Sequence, residues 1–289
     1  MLIIFNPMAG RRRTAALWRV LDLLAESGVH VEVAHTQHAG HAVELAREAA
    51  CRGERMVVAA GGDGTIAEVA NGLMGGTTAL GIIPLGTANV LAREYGLSTH
   101  PRAVANTLAY RRSRPLWPGV VRLAGREQVF VQMAGLGFDG AVVHNLNRLL
   151  KMVIGRGAYV WQTAWESVAY KYPPVRLVID GVAHEAASVV VSKGRFYGGR
   201  YMLAPEARPH EPGFQVVLVQ NPGTLAALRA AGTLPLGLLP CCGGVRILAA
   251  QEVVFPNAAG LPLQTDGDAQ PGTPLALVNA SVPISLITG

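Results

Sequence analysis

The sequence predicts an α/β N-terminal domain with a parallel sheet, followed by an all-β, sandwich-like C-terminal domain with a helical insert. Strand and helix patterns alternate over residues 1–115, as in sheets whose crossovers are helices. Beyond them, short strand patterns separated by Gly and Pro turns are typical of antiparallel sandwiches. The length of 289 residues exceeds the usual size of one domain. We therefore expect domains at 1–115 and 116–280, with 281–289 as a candidate segment for returning to the first.

The elements of the first domain follow from apolar spacing and from the residues that end each pattern. A short buried run begins the chain, and Gly28 closes the first amphipathic helix. The predicted strands are Leu2–Phe5, Val29–Ala34, Met56–Ala60 and Leu80–Pro84, and the predicted helices are Thr14–Ser27, Gly40–Arg52, Thr65–Met74 and Ala88–Tyr95. A basic, Pro-containing segment at 111–118 then predicts the domain boundary.

The second domain consists of short apolar runs bounded by turn residues, which indicate strands. The predicted strands are Gly119–Leu123, Gln128–Met133, Val175–Ile179, Ala187–Ser192, Phe214–Gln220, Val245–Ala250 and Leu275–Asn279. A helical insert is predicted at Val142–Tyr170, where Arg148, Lys151 and Arg156 lie among apolar residues. We expect core packing for its apolar face, and a basic face of this kind could also rest on lipid.

Composition limits the functional classes. Half of the residues are hydrophobic and 15% are charged, which predicts a folded core, and a net charge of +6 favours anionic partners such as nucleotides or anionic lipid headgroups. Only 6% of the residues are aromatic, which argues against nucleic acid as a partner. Three cysteines without framework spacing, and no secretory signal pattern, predict a cytoplasmic protein.

The most informative segment is Gly61-Gly62-Asp63-Gly64-Thr65, which follows a buried strand and precedes a helix. A helix N-terminus offers backbone N–H groups to an anion, and glycines allow a close approach. The carboxylate of Asp63 would repel a phosphate unless a divalent cation lay between them. The turn therefore predicts a nucleoside triphosphate held with Mg²⁺.

Two further turns follow strands of the same predicted sheet, Asn6–Gly10 and Pro84–Asn89. Ligands of parallel sheets bind beyond the carboxyl ends of the strands, so we expect the three turns to form one polar pocket of nucleotide size. Helix capping is the simplest role for Thr65 and Thr87, and it is compatible with phosphate contact. The basic run Arg11–Arg13 is either a solvated surface or a contact for phosphate or an anionic membrane.

These motifs resemble the diacylglycerol kinase catalytic domain family, and in particular its small soluble bacterial lipid kinases, which are related to sphingosine kinases. The likeness covers nearly the whole chain. It includes Gly61–Thr65, Asn71-Gly72-Leu73, Pro84–Asn89, Gly135–Asp139, Tyr197-Gly198-Gly199, Ala204–Ala207 and Asp266-Gly267-Asp268. The glycine turn is shared with phosphofructokinases and NAD kinases, so the resemblance implies that fold for the first domain.

The resemblance also implies roles for individual residues. The ATP-binding residues would be Asn6, Thr36, Gly61, Gly62, Asp63, Gly64, Thr65 and Thr87. Asp63 would organise Mg²⁺ on the phosphates. Asp268 stands where the family has its proton-accepting Glu, across the interdomain cleft, and Asp266 would be its metal-linked or supporting partner. An Asp at 268 is one methylene shorter than Glu, and a misplacement of about 1 Å can cost roughly a hundredfold in rate.

A structural Mg²⁺ is implied in the second domain as well. Glu211 stands at the position of the family's Asp ligand, and the backbone carbonyls of Arg208 and Gly213 would complete the site. Glu can replace Asp as an oxygen ligand, but Mg²⁺ demands near-octahedral geometry. The histidines His35, His38 and His41 are spaced for a metal but straddle a loop, so we expect none there.

The function implied by the resemblance is an ATP- and Mg²⁺-dependent lipid kinase, whose β-rich domain completes the lipid site. Its partner would be a lipid presented at a membrane surface, with peripheral contact at the inner face and no nucleic acid. The acceptor lipid and the oligomeric state do not follow from the sequence. Two alternatives stay open: a kinase of a soluble acceptor such as NAD, and a catalytically silent regulator that binds lipid or nucleotide.

Overall fold

The computed structural model describes residues 1–8, 14–110, 112–145 and 156–289, and for 156–162 it describes the backbone alone. Two compact units make up the chain. Unit 1 comprises 1–118 and 281–289, and unit 2 comprises 119–280. The sequence pattern had placed the boundary after residue 115.

Unit 1 is an α/β unit with one six-stranded sheet. Its strands are β1 Leu2–Phe5, β2 Glu32–His35, β3 Met56–Gly61, β4 Ala79–Pro84, β5 Ser113–Leu116 and β20 Ile284–Ile287. Its helices are α1 Thr14–Glu26, α2 His41–Cys51, α3 Asp63–Gly72, α4 Val90–Glu94 and α5 Pro101–Tyr110. The strand order is β2-β1-β3-β4-β20-β5. All neighbours are parallel except β5, which pairs antiparallel with β20.

The core of unit 1 explains why these segments form these elements. Every residue of β1 and β3 is buried, as expected for parallel strands covered on both faces. Helix α1 buries Leu17, Val20 and Leu24, whose spacing lies on one helical face. The predicted parallel-sheet α/β fold is confirmed.

Unit 2 contains two antiparallel six-stranded sheets, with orders β10-β9-β16-β19-β6-β7 and β15-β14-β11-β8-β17-β18, and a two-stranded ribbon of β12 and β13. The strands are β6 Gly119–Leu123, β7 Arg126–Phe130, β8 Met133–Gly137, β9 Val175–Ile179, β10 Val182–Ala186, β11 Ser188–Ser192, β12 Phe196–Tyr197, β13 Tyr201–Met202, β14 Phe214–Val219, β15 Val245–Ala250, β16 Glu252–Asn257, β17 Leu263–Thr265, β18 Asp268–Gln270 and β19 Pro274–Asn279. Side chains from both sheets share one core, with Phe130, Val216 and Val253 buried in it. The predicted sandwich is confirmed.

The helices of unit 2 are α6 Phe138–His144, α7 Arg156–Ala169 and α8 Thr224–Thr233. The predicted insert at 142–170 is thus helical at both ends, while Arg148 and Lys151 lie outside the described residues. Within the parts of the chain that the structure describes, no helix combines the length and hydropathy needed to cross a bilayer.

Candidate nucleotide and phosphoryl-transfer sites

The glycine turn of unit 1 joins β3 to α3. β3 ends at Gly61 and α3 begins at Asp63, so the carboxylate residue stands in the first turn of the helix. N–H groups of a first turn have no acceptor within the helix and attract anions. A side chain at Gly61 is excluded because its Cβ would lie 2.5 Å from Oγ1 of Thr65. The turn can therefore present backbone donors to a phosphate.

The turn after β4 lies against this first turn. The N–H groups of Leu85 and Gly86 both donate to the carbonyl of Gly61, at 2.9 and 3.2 Å. A Cβ at Gly86 would come within 2.6 Å of the Cα of Gly62. Two predicted binding turns are thus held together backbone against backbone.

The turn after β1 joins the same cluster. Nδ2 of Asn6 donates to Oγ1 of Thr65 at 3.0 Å, and Oδ1 of Asn6 accepts from the N–H of Met8 at 3.0 Å. Thr36 follows β2, and its N–H donates to the carbonyl of Phe5 at 2.9 Å. Thr87 is exposed in the turn after β4. Arg11–Arg13 lie outside the described residues.

Asp63 holds the start of α4. Its Oδ1 accepts from the N–H of Leu91 at 3.2 Å. Burial raises the pKa of Asp63 above its usual value, and backbone N–H groups at 89–91 oppose that rise. Beside it, Oδ1 of Asn89 is buried and has no hydrogen-bond partner among the residues that the structure describes. Two oxygen atoms of the kind that Mg²⁺ prefers therefore belong to these turns, which fits a cation bound with a nucleotide.

Glu68 is a positioning residue that the sequence reasoning missed. Its carboxylate accepts from the N–H groups of Gly40 and Ala42, at 3.0 and 3.2 Å. Glu68 of α3 therefore caps the N-terminus of α2 and fixes the end of the loop that carries Thr36. The signal was available: the glycine before α2 offers no side-chain cap, so another element had to supply one.

The two carboxylates of the second motif have different surroundings in unit 2. Asp266 accepts three backbone hydrogen bonds, from Val131 and Gln132 at 2.8 Å and from Met133 at 3.0 Å. Its backbone has a φ of 50°, a conformation that Asp tolerates better than most residues. Asp268 begins β18 and is exposed. Asp266 thus supports the turn, and Asp268 faces solvent.

A chain of hydrogen bonds around the buried carboxylate of Asp139 links three of the family motifs in unit 2. The carboxylate of Asp139 accepts from the hydroxyl of Tyr197 at 2.6 Å and from Nε2 of Gln264 at 2.8 Å. Oε1 of Gln264 accepts in turn from the N–H of Gly267 at 2.9 Å. Burial raises the pKa of Asp139, although both hydrogen bonds oppose the rise. The chain fixes the turn that carries Asp268, and the sequence had given none of these residues a role.

The predicted metal ligands of unit 2 surround an ammonium group instead. Nζ of Lys193 donates to the carbonyls of Glu211 and Gly213, at 3.0 and 2.7 Å. The carbonyl of Arg208 accepts from the N–H of Glu211 at 3.1 Å, and the Glu211 carboxylate pairs with the Arg208 guanidinium. In this arrangement Arg208, Glu211 and Gly213 do not fit a Mg²⁺ ion, because a cationic side chain already binds two of their carbonyls.

Comparisons with known proteins identify the family. Residues 1–121 match the model of the diacylglycerol kinase catalytic domain, and residues 132–287 match that of the YegS C-terminal NAD kinase beta sandwich-like domain. A diacylglycerol kinase of Bacillus subtilis is 30% identical over 238 residues, which cover 79% of this chain and 76% of that protein. A diacylglycerol kinase of Mycobacterium tuberculosis is 29% identical over 97% of this chain and 92% of that protein.

A solved structure confirms the fold. A crystal structure of a diacylglycerol kinase from Bacillus anthracis superposes with a TM-score of 0.72 at 21% identity, covering 100% of this chain and 96% of the other. The family models span both units, and the named relatives are lipid kinases rather than kinases of a soluble acceptor. The chain therefore belongs to the diacylglycerol kinase catalytic domain family, and the protein is a lipid kinase.

Proposed function

We propose that this lipid kinase transfers the γ-phosphoryl group of ATP to a hydroxyl group of a lipid, with Mg²⁺ bound to the nucleotide. The observation that carries the proposal is the cluster of three turns beyond the carboxyl ends of β1, β3 and β4, in a chain of this family. The family is one of kinases, which implies ATP as the donor. The lipid is diacylglycerol-like or sphingoid-like.

The residues of unit 1 bind and orient the donor. The first-turn N–H groups of α3 and the glycine backbone contact the phosphates, and the hydrogen bond between Asn6 and Thr65 fixes the two turns relative to each other. Asp63 and Asn89 supply oxygen atoms for Mg²⁺, which would neutralise phosphate charge when bound. Thr36 and Thr87 contribute hydroxyl groups near the ends of β2 and β4.

The residues of unit 2 act on the acceptor. Asp268 accepts the proton of the lipid hydroxyl, since its carboxylate is exposed and its turn is anchored by Asp266 and Gln264. A positioned base contributes about 10²–10⁴ in rate. Asp266 acts as a positioning residue, because its oxygens already bind three backbone N–H groups.

Peripheral contact with a membrane belongs to the same proposal. Unit 2 exposes apolar side chains on and after α8, with Leu225 at 73%, Leu236 at 71% and Leu238 at 50% exposure. A net charge of +6 would favour an anionic bilayer at the inner face.

Sedimentation with anionic vesicles tests this contact. We expect Leu236→Asp to reduce the fraction of protein that sediments with the vesicles. Leu275→Asp, at another exposed leucine, is the matched control. Equal sedimentation of both variants with the wild type would place the contact elsewhere.

The function is tested with purified protein, γ-labelled ATP and a total lipid extract. We expect label in a chloroform-soluble product only with Mg²⁺, and mass spectrometry of that product identifies the acceptor. Labelling that persists after chelation would remove Mg²⁺ from the proposal. Label transferred to NAD but to no lipid would overturn the acceptor class.

A further inference from the structure

Lys193 is a fully buried lysine of unit 2. It follows β11 and is 1% exposed, although lysine is almost never fully buried without partners. Its Nζ donates to three neutral oxygens: the carbonyl of Glu211 at 3.0 Å, the carbonyl of Gly213 at 2.7 Å and Oδ1 of Asn279 at 3.2 Å. An ammonium group has three N–H donors and no acceptor, so this set of oxygens uses all of them.

The three oxygens come from separate parts of the chain. Glu211 and Gly213 lie in the loop before β14, and Asn279 ends β19. Asn279 also accepts from the N–H of Gly213 at 2.8 Å and donates to the carbonyl of Gln251 at 3.0 Å. The ammonium group therefore ties the loop at 208–213 to strands of both sheets, while the ring of Phe214 lies 5.1 Å from Nζ.

This arrangement has the donor set of a cation site. Convergent carbonyl and amide oxygens are the ligands that hard cations take in proteins, and here they converge on Nζ of Lys193. Burial lowers the pKa of Lys193 to about 7, and the three oxygens that accept the N–H bonds of the ammonium group oppose that shift. A Mg²⁺ ion would need the same oxygens at about 2.0–2.1 Å. Charge repulsion and volume exclude that ion while the ammonium group is in place.

The carboxylate of Glu211 is used elsewhere. Glu211 pairs through its side chain with Arg208 at 3.3 Å and with His210 at 3.5 Å, and its carboxylate is about half exposed. Only its backbone carbonyl contacts Lys193. The side chain that the family resemblance assigned to the metal therefore takes part in surface ion pairs.

We propose that the ammonium group of Lys193 is the built-in cation of this site, so that unit 2 holds the loop at 208–213 in place without a divalent metal ion. This proposal is independent of the acceptor lipid and of the nucleotide. The quantity that tests it is the thermal unfolding midpoint, which is measured without nucleotide or lipid.

The first test is thermal unfolding of the wild type without nucleotide. Three samples are compared: protein dialysed against EDTA, the same protein with added MgCl₂, and the same protein with added CaCl₂. A metal that binds the folded state raises the midpoint. We expect the same midpoint in all three samples. A midpoint that falls in EDTA and recovers with either ion would overturn the proposal.

The second test compares Lys193→Met with Lys171→Met, an exposed lysine of the same unit. Three partly buried oxygens lose the hydrogen bond from Nζ in the first variant, so we expect its midpoint to fall by about 5–10 °C and that of the control to stay unchanged. Equal midpoints for the two variants would overturn the proposal. Lys193→Ala leaves space among the same oxygens, and we expect its midpoint to rise when MgCl₂ or CaCl₂ is added.

If Lys193→Met does not fold, NMR spectroscopy of the wild type tests whether the ammonium group of Lys193 is buried and hydrogen-bonded. The sequence contains only the lysines Lys151, Lys171 and Lys193, so side-chain ammonium signals of ¹⁵N-lysine-labelled wild type are few. We expect one signal that exchanges slowly with water and persists in the Lys171→Met protein. Three rapidly exchanging signals would contradict a buried, hydrogen-bonded ammonium group.

Discussion

Both units contain a turn in which Asp stands beside Gly, and the two turns use their carboxylates differently. In unit 1 one carboxylate has both duties: Asp63 stands in the turn proposed to bind phosphate and accepts the N–H of Leu91. In unit 2 the duties are divided: Asp266 accepts three backbone N–H groups, and Asp268 is exposed. A motif carboxylate can therefore support the fold, take part in the chemistry, or do both. For each variant, the unfolding midpoint and the reaction rate must be measured separately.

The largest effect is expected at Asp63, where both duties meet. Asp63→Ala removes the proposed oxygen ligand for Mg²⁺ and the acceptor for the N–H of Leu91, so we expect loss of detectable lipid phosphorylation together with a lower unfolding midpoint. Asp63→Asn keeps an acceptor for Leu91 and should lose activity while it keeps more of its stability. The exposed Asp22→Ala is the control. An active Asp63→Asn enzyme would show that the charge is dispensable.

Asp268 should show a loss of rate alone. We expect Asp268→Ala to lower kcat by about 10²–10⁴ with an unchanged unfolding midpoint, because the side chain is exposed. Asp268→Glu restores the family's longer carboxylate and should keep activity. If Asp268→Ala retained the wild-type kcat, Asp268 would not be the base.

Asp266 should show the reverse pattern. Asp266→Ala leaves three backbone N–H groups without their acceptor and places Ala at a φ of 50°. We expect a loss of about 2–4 kcal/mol in the free energy of unfolding, measured by denaturant titration. Activity should fall because the turn that carries Asp268 loses its anchor. A variant as stable as the wild type would break the contrast between the two carboxylates.

The smallest effect is expected at Glu68, which caps α2 from α3. Removing a helix cap costs about 1 kcal/mol, so Glu68→Ala should destabilise unit 1 modestly and raise the KM for ATP a few-fold through the loop that carries Thr36. The exposed Glu48→Ala of α2 is the matched control. A KM that changes equally in both variants would contradict a specific role for the cap.

The sequence predicted the parts of the fold that local patterns encode. β6 and β9 have the predicted bounds, because alternating or continuous apolar runs indicate burial directly. Helix α5 was not predicted, although Pro101 is a typical first residue of a helix. β5 was interpreted as part of a linker, because Arg and Pro suit an exposed edge strand as well as a boundary.

The candidate site could be predicted only where its glycine and carboxylate residues form motifs that are recognisable from the local sequence. The turns after β1, β3 and β4 are cases of this kind. Lys193 carried no such signal, since its partners are backbone carbonyls and an amide up to 86 residues away. The chain from Asp139 to Gly267 escaped prediction for the same reason: spacing along the sequence does not show which buried polar groups meet.

The position of β20 in the first sheet has a consequence for synthesis on the ribosome. β20 lies between β4 and β5, yet it is made only after all of unit 2. Until then β4 lacks that neighbour and β5 lacks the partner that fixes it to the sheet. Unit 2, which is continuous in sequence, can fold before unit 1 receives β20. Nascent chains halted before β20 should therefore carry an unpaired sheet edge. Such an edge can pair with other chains and aggregate unless a chaperone binds it first.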